Sequence, residues 1–321
     1  MFLKKKMILF ISLLLLLANI GCSAGANKGE NEKPILKIGY LPITHASPLF
    51  LNQHIHDGEH EGYEVELVKF GSWPDLMDAL NTGRIDGASV LIQLAMKSVE
   101  KGIDLSAVAL GHQDGNALIS AKGIDSIQDI KGESFAIPHT YSTHHLLLQE
   151  LLTLEGMDYD DIDIVELPPA EMPVALSEER IEGYVVAEPF GALGLHLDIG
   201  EVLAFSEDFW PDSYCCVLVL RDDFIDSNFG VAEDYVKSYV EAGKKADEKG
   251  SDLYEALQDY MKVEDETLDI SLEWITFDNL SIEKAEYDKI LKKVMDLELM
   301  ESPPKYEELV DNRFIDRAKL D

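Results

Sequence analysis

The sequence predicts an α/β fold in two domains followed by a helical segment, and three observations carry that reading. Short apolar runs alternate with helix-period segments from residue 35 to about residue 225. Such alternation implies βαβ units and parallel strands. From Val231 onward the pattern turns purely helical. The roughly 290 residues that carry these patterns exceed one ordinary core, so two domains are expected.

The elements follow in order. ILKIGYL (35–41) is a strand ending at Pro42, and YEVELVKF (63–70) alternates by twos as a half-buried strand does. GSWPDLMDALNTGRID (71–86) reads as a helix that opens at Ser72 with Pro74 in its first turn. GASVL (87–91) is a strand, and residues 91–102 form a helix closing on glycine. LSAVALG and NALISA are strands. GESFAIP (132–138) leads into a helix from about Ser142 to Gly156. DIVELP, a helix after Pro173 and IEGYVVAEP (181–189) continue the rhythm, and YCCVLVLRDDF (214–224) is a long apolar strand.

The N-terminus specifies location. Lys4, Lys5 and Lys6 precede an apolar run from Met7 to Ala18, and Gly21-Cys22 closes the segment. This is the layout of a secretory signal whose apolar run is too short to span a bilayer. A cysteine at the expected cut resembles the bacterial lipoprotein signal, so Cys22 is expected to carry the lipid anchor. Asn19 stands where that signal usually has Leu. Residues 23–33, SAGANKGENEK, hold no apolar residue larger than Ala and read as a flexible tether. The implied location is the extracytoplasmic face of the cell membrane, with membrane contact through the lipid alone.

Charge excludes two ligand classes. The formal net charge is −34, and the signal segment holds three of the lysines and no acid. Such a surface repels nucleic acid and anionic headgroups. With Cys22 lipidated, only Cys215 and Cys216 remain. Adjacent strand residues point to opposite faces, so these two are read as buried thiols packing like small apolar residues. No other cysteine is present to complete a metal site.

Three junctions where strands meet helices are rich in small polar and aromatic residues. They are Leu41-Pro42-Ile43-Thr44-His45-Ala46-Ser47, Gly71-Ser72-Trp73, and His139-Thr140-Tyr141-Ser142-Thr143-His144. In parallel α/β sheets ligands sit at such junctions, on exposed helix amides. Singly, Ser47, Ser72 and Ser142 read as N-caps. Together with Trp73 and Tyr141 they read as walls of a cleft. HIHDGEH (54–60) has the composition of a metal site but reads as a solvated loop. His144-His145 lie at a helix start where one imidazole must face the sheet. No glycine loop for nucleotides and no GxSxG elbow is present, so no catalytic residue is assigned.

GYLPITHASPL (39–49), GSWPDLMDALNTGRIDGA (71–88), IPHTYSTHHLLLQELLTLEGMD (137–158) and IEGYVVAEPF (181–190) recur in an order that resembles the nitrate, bicarbonate, sulfonate and taurine group of solute-binding lipoproteins of ATP-driven importers. The resemblance implies a two-lobed, type II periplasmic-binding-protein-like clamshell with a ligand between the lobes. Lobe 1 would comprise 34–119 and 220–321, and lobe 2 residues 120–219. The crossing strands would lie near Leu118–Lys122 and Val217–Arg221, and the helical C-terminal segment would pack on the first lobe. Trp73 matches the family's anion-contacting tryptophan, His139 a histidine at the second lobe's helix start, and Glu188-Pro189 an acidic-Pro pair facing the cleft. His196 stands where nitrate-type proteins carry a ligand lysine. The implied ligand set is Thr44, His45, Ser72, Trp73, His139, Tyr141, Ser142, Thr143, Glu188 and His196, with no metal and no cofactor.

The function these features imply is a monomeric receptor, not an enzyme. It would bind a small anion-like solute and deliver it to an ABC permease and its ATPase subunit. Loss of the lysine and the lack of Lys or Arg in the three junctions leave room for a neutral or zwitterionic ligand. The alternatives are a binder of a thiamine-precursor pyrimidine and, on the same scaffold, a biosynthetic enzyme, against which the signal segment argues.

Overall fold

A computed structural model describes residues 33–318. Cys22, the signal segment and nearly all of the tether lie outside the described residues. Among the described residues no helix is long and apolar enough to cross a membrane.

Two sheets organise the chain. In chain order, β1 is Ile35–Tyr40, β2 Glu59–His60, β3 Tyr63–Lys69, β4 Gly87–Leu91 and β5 Leu105–Leu110. Then come β6 at Gln113–Asp114, β7 at Asn116–Ser120, β8 at Ser134–Ile137 and β9 at Asp163–Glu166. Next are β10 at Gly183–Ala187, β11 at Glu201–Phe205, β12 at Cys216–Arg221 and β13 at Ile275–Thr276. The first sheet runs β2-β3-β1-β4-β12-β5, the second β11-β7-β10-β8-β9, and β13 pairs with β6 in a small ribbon. Each large sheet is the centre of one lobe of the clamshell.

Neither sheet is wholly parallel, which corrects the expectation from alternation alone. β1 pairs parallel to β3 and β4, but β12 runs antiparallel to both β4 and β5. In the second sheet β10 and β9 pair parallel to β8, whereas β7 runs antiparallel to β10 and β11. The antiparallel strands are those that arrive from the other sheet. A chain entering a sheet from its far side runs against the resident strands. The passages themselves are residues 111–115 and 206–215. The stretches Leu118–Lys122 and Val217–Arg221, expected to be the crossings, lie largely within β7 and β12, each a member of one sheet only.

Local chemistry explains the elements. Every residue of β4, β7 and β10 is buried, which is why they read as continuous apolar runs rather than alternating ones. Ser72 caps the helix Trp73–Asn81, accepting from the Asp75 amide at 3.4 Å, with Pro74 in the first turn. Ser142 caps Thr143–Leu154, accepting from the His145 amide at 3.1 Å. The strand expected over 214–224 is shorter, because the helix Asp222–Ser227 begins directly after Arg221. β11 and the helix Phe190–His196 carried too few periodic residues to be read from the sequence. The C-terminal helices pack on the first lobe: Phe229–Asp247 lies against Ser47–His56, and Arg313–Ala318 against β5. Asp265–Glu273 reaches the second lobe's helix Phe190–His196.

Candidate functional site

The ends of the strands converge where the lobes meet. Thr44 and His45 follow β1, His112 lies in the first passage, Cys215 ends the second, and Cys216 opens β12. From the other side, Thr143 and His144 open the helix after β8, and Glu188 follows β10. His45, His112, His144, Cys215, Cys216 and Glu188 are all fully buried.

Hydrogen bonds stitch the two sides together. The Thr44 amide donates to the Glu188 carbonyl at 2.8 Å. Gln93 Nε2 donates to Thr143 Oγ1 at 2.8 Å, and that hydroxyl donates to the Tyr214 carbonyl at 2.6 Å. Within the first lobe, Thr44 Oγ1 lies 3.1 Å from Ser271 Oγ of the C-terminal helices. The lobes are therefore in direct contact over the buried group.

His45, His112, Cys215 and Cys216 each bring one donor atom into a group spanning 4.8 Å at most. The His45 and His112 rings sit 3.7 Å apart between centroids. His45 Nε2 lies 3.0 Å from the Gly115 carbonyl, which can only accept, so this network assigns the proton to Nε2 and frees Nδ1. That Nδ1 lies 3.9 Å from Cys216 Sγ. His144 Nε2 reaches Cys215 Sγ at 3.8 Å from the second lobe. His112 Nδ1 and His144 Nδ1 are buried without a hydrogen-bond partner. Gly111 makes the approach possible, since a Cβ there would fall 2.7 Å from the His45 carbonyl oxygen.

Burial sets the protonation of this group. Burial and the adjacent His45 push His112 down to about 4, so it is neutral. Burial opposes ionisation of Cys215, but the Cys216 thiol and the His144 and His112 imidazoles outweigh it and draw Cys215 below the ordinary thiol range. Burial and the neighbouring Cys215 raise Cys216. Burial pushes Glu188 up to about 8, against the Ala192 amide that donates to its Oε2 at 2.9 Å. Glu188 Oε1 is buried without a partner.

This arrangement corrects the reading of the cysteines as two thiols packing on opposite faces. Both are reduced and buried, yet they share one cluster. Cys215 precedes the start of β12, so strand alternation does not govern it. Imidazoles from distant strand ends, rather than further cysteines, complete the set.

The remaining sequence-derived candidates are spread along the cleft. Ser72, Trp73 and His139 line a cavity of about 180 Å³ between the lobes, with Pro138 and Glu166. Trp73 is buried and its Nε1 has no partner. His139 Nδ1 accepts from the Tyr141 amide at 2.9 Å, and burial lowers its pKa. Tyr141 lies beneath Lys97 Nζ at 5.0 Å. Ser142 acts on its own backbone, donating to the His139 carbonyl at 2.6 Å in addition to capping. His196 lies 3.3 Å from Glu264 and is partly exposed, so it faces the C-terminal helices. A second, mostly apolar cavity of about 350 Å³ opens between Leu41, Ile43, Phe70, Pro169 and Phe190. In HIHDGEH, His54 faces Glu255 and Asp259 while His56 stacks on His60, so these histidines do not converge.

Sequence reasoning missed His112 entirely and set aside His144, Cys215 and Cys216. One signal was present: each lies beside a strand end on the side where Thr44 and His45 had already been placed.

The NMT1-like family is matched over residues 29–256. The chain is similar to a ligand-binding component of an ABC-type import system from Staphylococcus aureus, solved with zinc bound. That similarity is 43% identity and a TM-score of 0.85 over 89% of this chain and 99% of that one. It is also similar in fold to the periplasmic nitrate-binding protein NrtA from Synechocystis PCC 6803. There the TM-score is 0.81 at 18% identity, over 90% of this chain and 89% of that one. The taurine-binding periplasmic protein of Escherichia coli is 30% identical over 57% of this chain and 58% of its own. The chain spans between 35% and 58% of the length of the curated relatives it matches.

Proposed function

The chain belongs to the NMT1-like family, and on that premise we propose that it is the solute receptor of an ABC importer. It holds a small solute between its lobes and presents the closed form to a permease driven by an ATPase subunit. It acts by binding and closure rather than by catalysis, as a monomer tethered outside the cell through lipidated Cys22. Lobe 1 is taken as 34–110 with 216–321 and lobe 2 as 116–205, so that the boundaries fall in the passages rather than inside β7 and β12, where the expected 34–119, 220–321 and 120–219 put them. The signal layout of residues 1–22 supports the anchor.

One observation carries this reading: residues of both lobes meet in direct hydrogen bonds, Thr44 to Glu188 and Gln93 to Thr143, over a buried polar group. Contacts made from both sides favour the closed state, and a permease reads the altered rims.

Two observations bear on the solute. The taurine- and nitrate-binding relatives support a small solute with an anionic group, either an anion or a zwitterion. For such a ligand the helix amides beside Ser72 and Ser142, with Trp73, His139, Tyr141 and Thr143, would form the walls. The Staphylococcus aureus relative solved with zinc supports a solute held by softer donors, and His45, His112, Cys215 and Cys216 supply them. A thermal-shift screen of the detergent-solubilised chain against nitrate, bicarbonate, taurine, an alkanesulfonate and zinc tests the reading, because a bound solute stabilises by mass action. A rise in melting temperature for one class, absent for the others, supports a dedicated receptor. No rise for any of them counts against it.

A further inference from the structure

We propose that His45, His112, Cys215 and Cys216 form a four-coordinate site for a zinc-class transition cation, and that this cation is what the closed lobes hold. The inference rests on the receptor reading above and names the class of its solute.

The geometry fits a tetrahedral centre. Metal–ligand distances of about 2.0–2.3 Å place the donors of such a centre about 3.3–3.8 Å apart. Here His45 Nδ1 and Cys216 Sγ are 3.9 Å apart, and the whole set lies within 4.8 Å. Small side-chain shifts close the difference. Two thiolates and two imidazoles select zinc or monovalent copper over magnesium and calcium, which take oxygen ligands.

The surroundings are those of a built ligand set. His45 donates its Nε2 proton to the Gly115 carbonyl at 3.0 Å, which orients the ring and turns Nδ1 toward the thiols. His112 Nε2 accepts from the Cys216 amide at 3.4 Å, which ties this ring to the strand that carries the thiol. All four residues are fully buried, so no water competes for the donors. Among the described residues this is the one group of three or more such side chains that converge.

The position implies a link to closure. His45 follows a first-lobe strand, His112 and Cys215 lie in the two passages between lobes, and His144 approaches Cys215 at 3.8 Å from the second lobe. A cation there is bonded to the segments on which the lobes turn, and the second lobe's His144 closes over it. Zinc entering the site displaces to buffer whatever protons the two thiols still hold and changes no oxidation state.

The test uses the full chain in detergent, stripped of metal under reducing conditions, with the free thiols counted beforehand. Zinc is titrated by calorimetry against a competing chelator, and cobalt is added separately as a spectroscopic probe. The expected result is one zinc per chain and a cobalt spectrum with thiolate charge-transfer and tetrahedral d–d bands. Cys216→Ser and His112→Gln should each weaken zinc by about 100-fold, and Cys216→Ser should also lower the intensity of the thiolate band, while circular dichroism shows both variants folded. His54→Gln with His56→Gln should change nothing. No stoichiometric zinc with both thiols reduced would overturn the site, as would unchanged affinity in folded Cys216→Ser. If zinc fails but taurine or nitrate still raises the melting temperature, the receptor reading stands and only this inference falls. If zinc binds as described while importer-dependent uptake of radioactive zinc is absent from cells, the coordination site stands and zinc is not the cargo.

Discussion

The Thr44 amide of the first lobe donates to the Glu188 carbonyl of the second at 2.8 Å, tying the end of one sheet to the end of the other. Glu188 thus serves the seam twice, through its carbonyl and through a carboxyl buried beside the helix Phe190–His196. Gly191 leaves room for that carboxyl, since a Cβ there would fall 2.2 Å from Oε1.

The Glu188 carboxyl makes stability depend on pH. Burial raises it from 4.5 to about 8. Below 4.5 the folded and unfolded chains both hold the proton. Between 4.5 and 8 the unfolded chain releases it and the folded chain keeps it, so stability falls as pH rises and levels off above 8. The expected loss is of the order of a few kcal/mol. Glu188→Gln should flatten that part of the profile. Denaturant unfolding at pH 5, 6.5 and 8 checks this, and identical slopes in wild type and variant would refute it.

Gly111→Ala should damage the cluster without touching a ligand. The new methyl meets the His45 carbonyl at 2.7 Å and the Cys216 carbonyl at 3.2 Å, both backbone atoms that cannot step aside cheaply. The expected cost is about 1–3 kcal/mol of stability, together with weaker solute binding. Melting temperature and affinity measured on one sample report both.

Thr143→Val removes the hydroxyl shared by Gln93 and the Tyr214 carbonyl. Two buried polar groups then lose a partner, at about 1–3 kcal/mol. Because Gln93 and Thr143 lie on opposite lobes, the loss should appear as weaker solute affinity more than as a lower melting temperature of the unliganded chain. Calorimetric titration alongside thermal unfolding separates the two.

Trp73→Ala should cost about 3–5 kcal/mol of stability, because the ring is 1% exposed. As a wall of the cavity shared with His139 it should also weaken an anionic solute by about 1–3 kcal/mol. Stability lost with affinity unchanged would remove Trp73 from the binding surface.

Most of residues 35–225 was legible because the elements there are punctuated. Ser72 with Pro74 and Ser142 with His145 mark helix starts that need no tertiary context. Strand direction was not legible, since β7 and β12 become antiparallel only through where the chain crosses, a property of topology rather than of any local pattern. The buried cluster was hidden for a related reason. His45, His112 and Cys216 stand 67 and 104 residues apart along the chain, and no short motif joins them. Cys215 and Cys216 were assigned opposite faces by a rule that holds inside strands, whereas Cys215 sits just outside one.

Hydrogen exchange at the Thr44 amide tests most directly whether this protein closes on a solute. The account predicts that the amide exchanges readily in the solute-free chain and slows by about tenfold or more when the solute binds, while amides inside β1 stay equally protected in both states. Equal exchange at Thr44 with and without bound solute would contradict it, because the bond from Thr44 to Glu188 would then be permanent and the two lobes would not open.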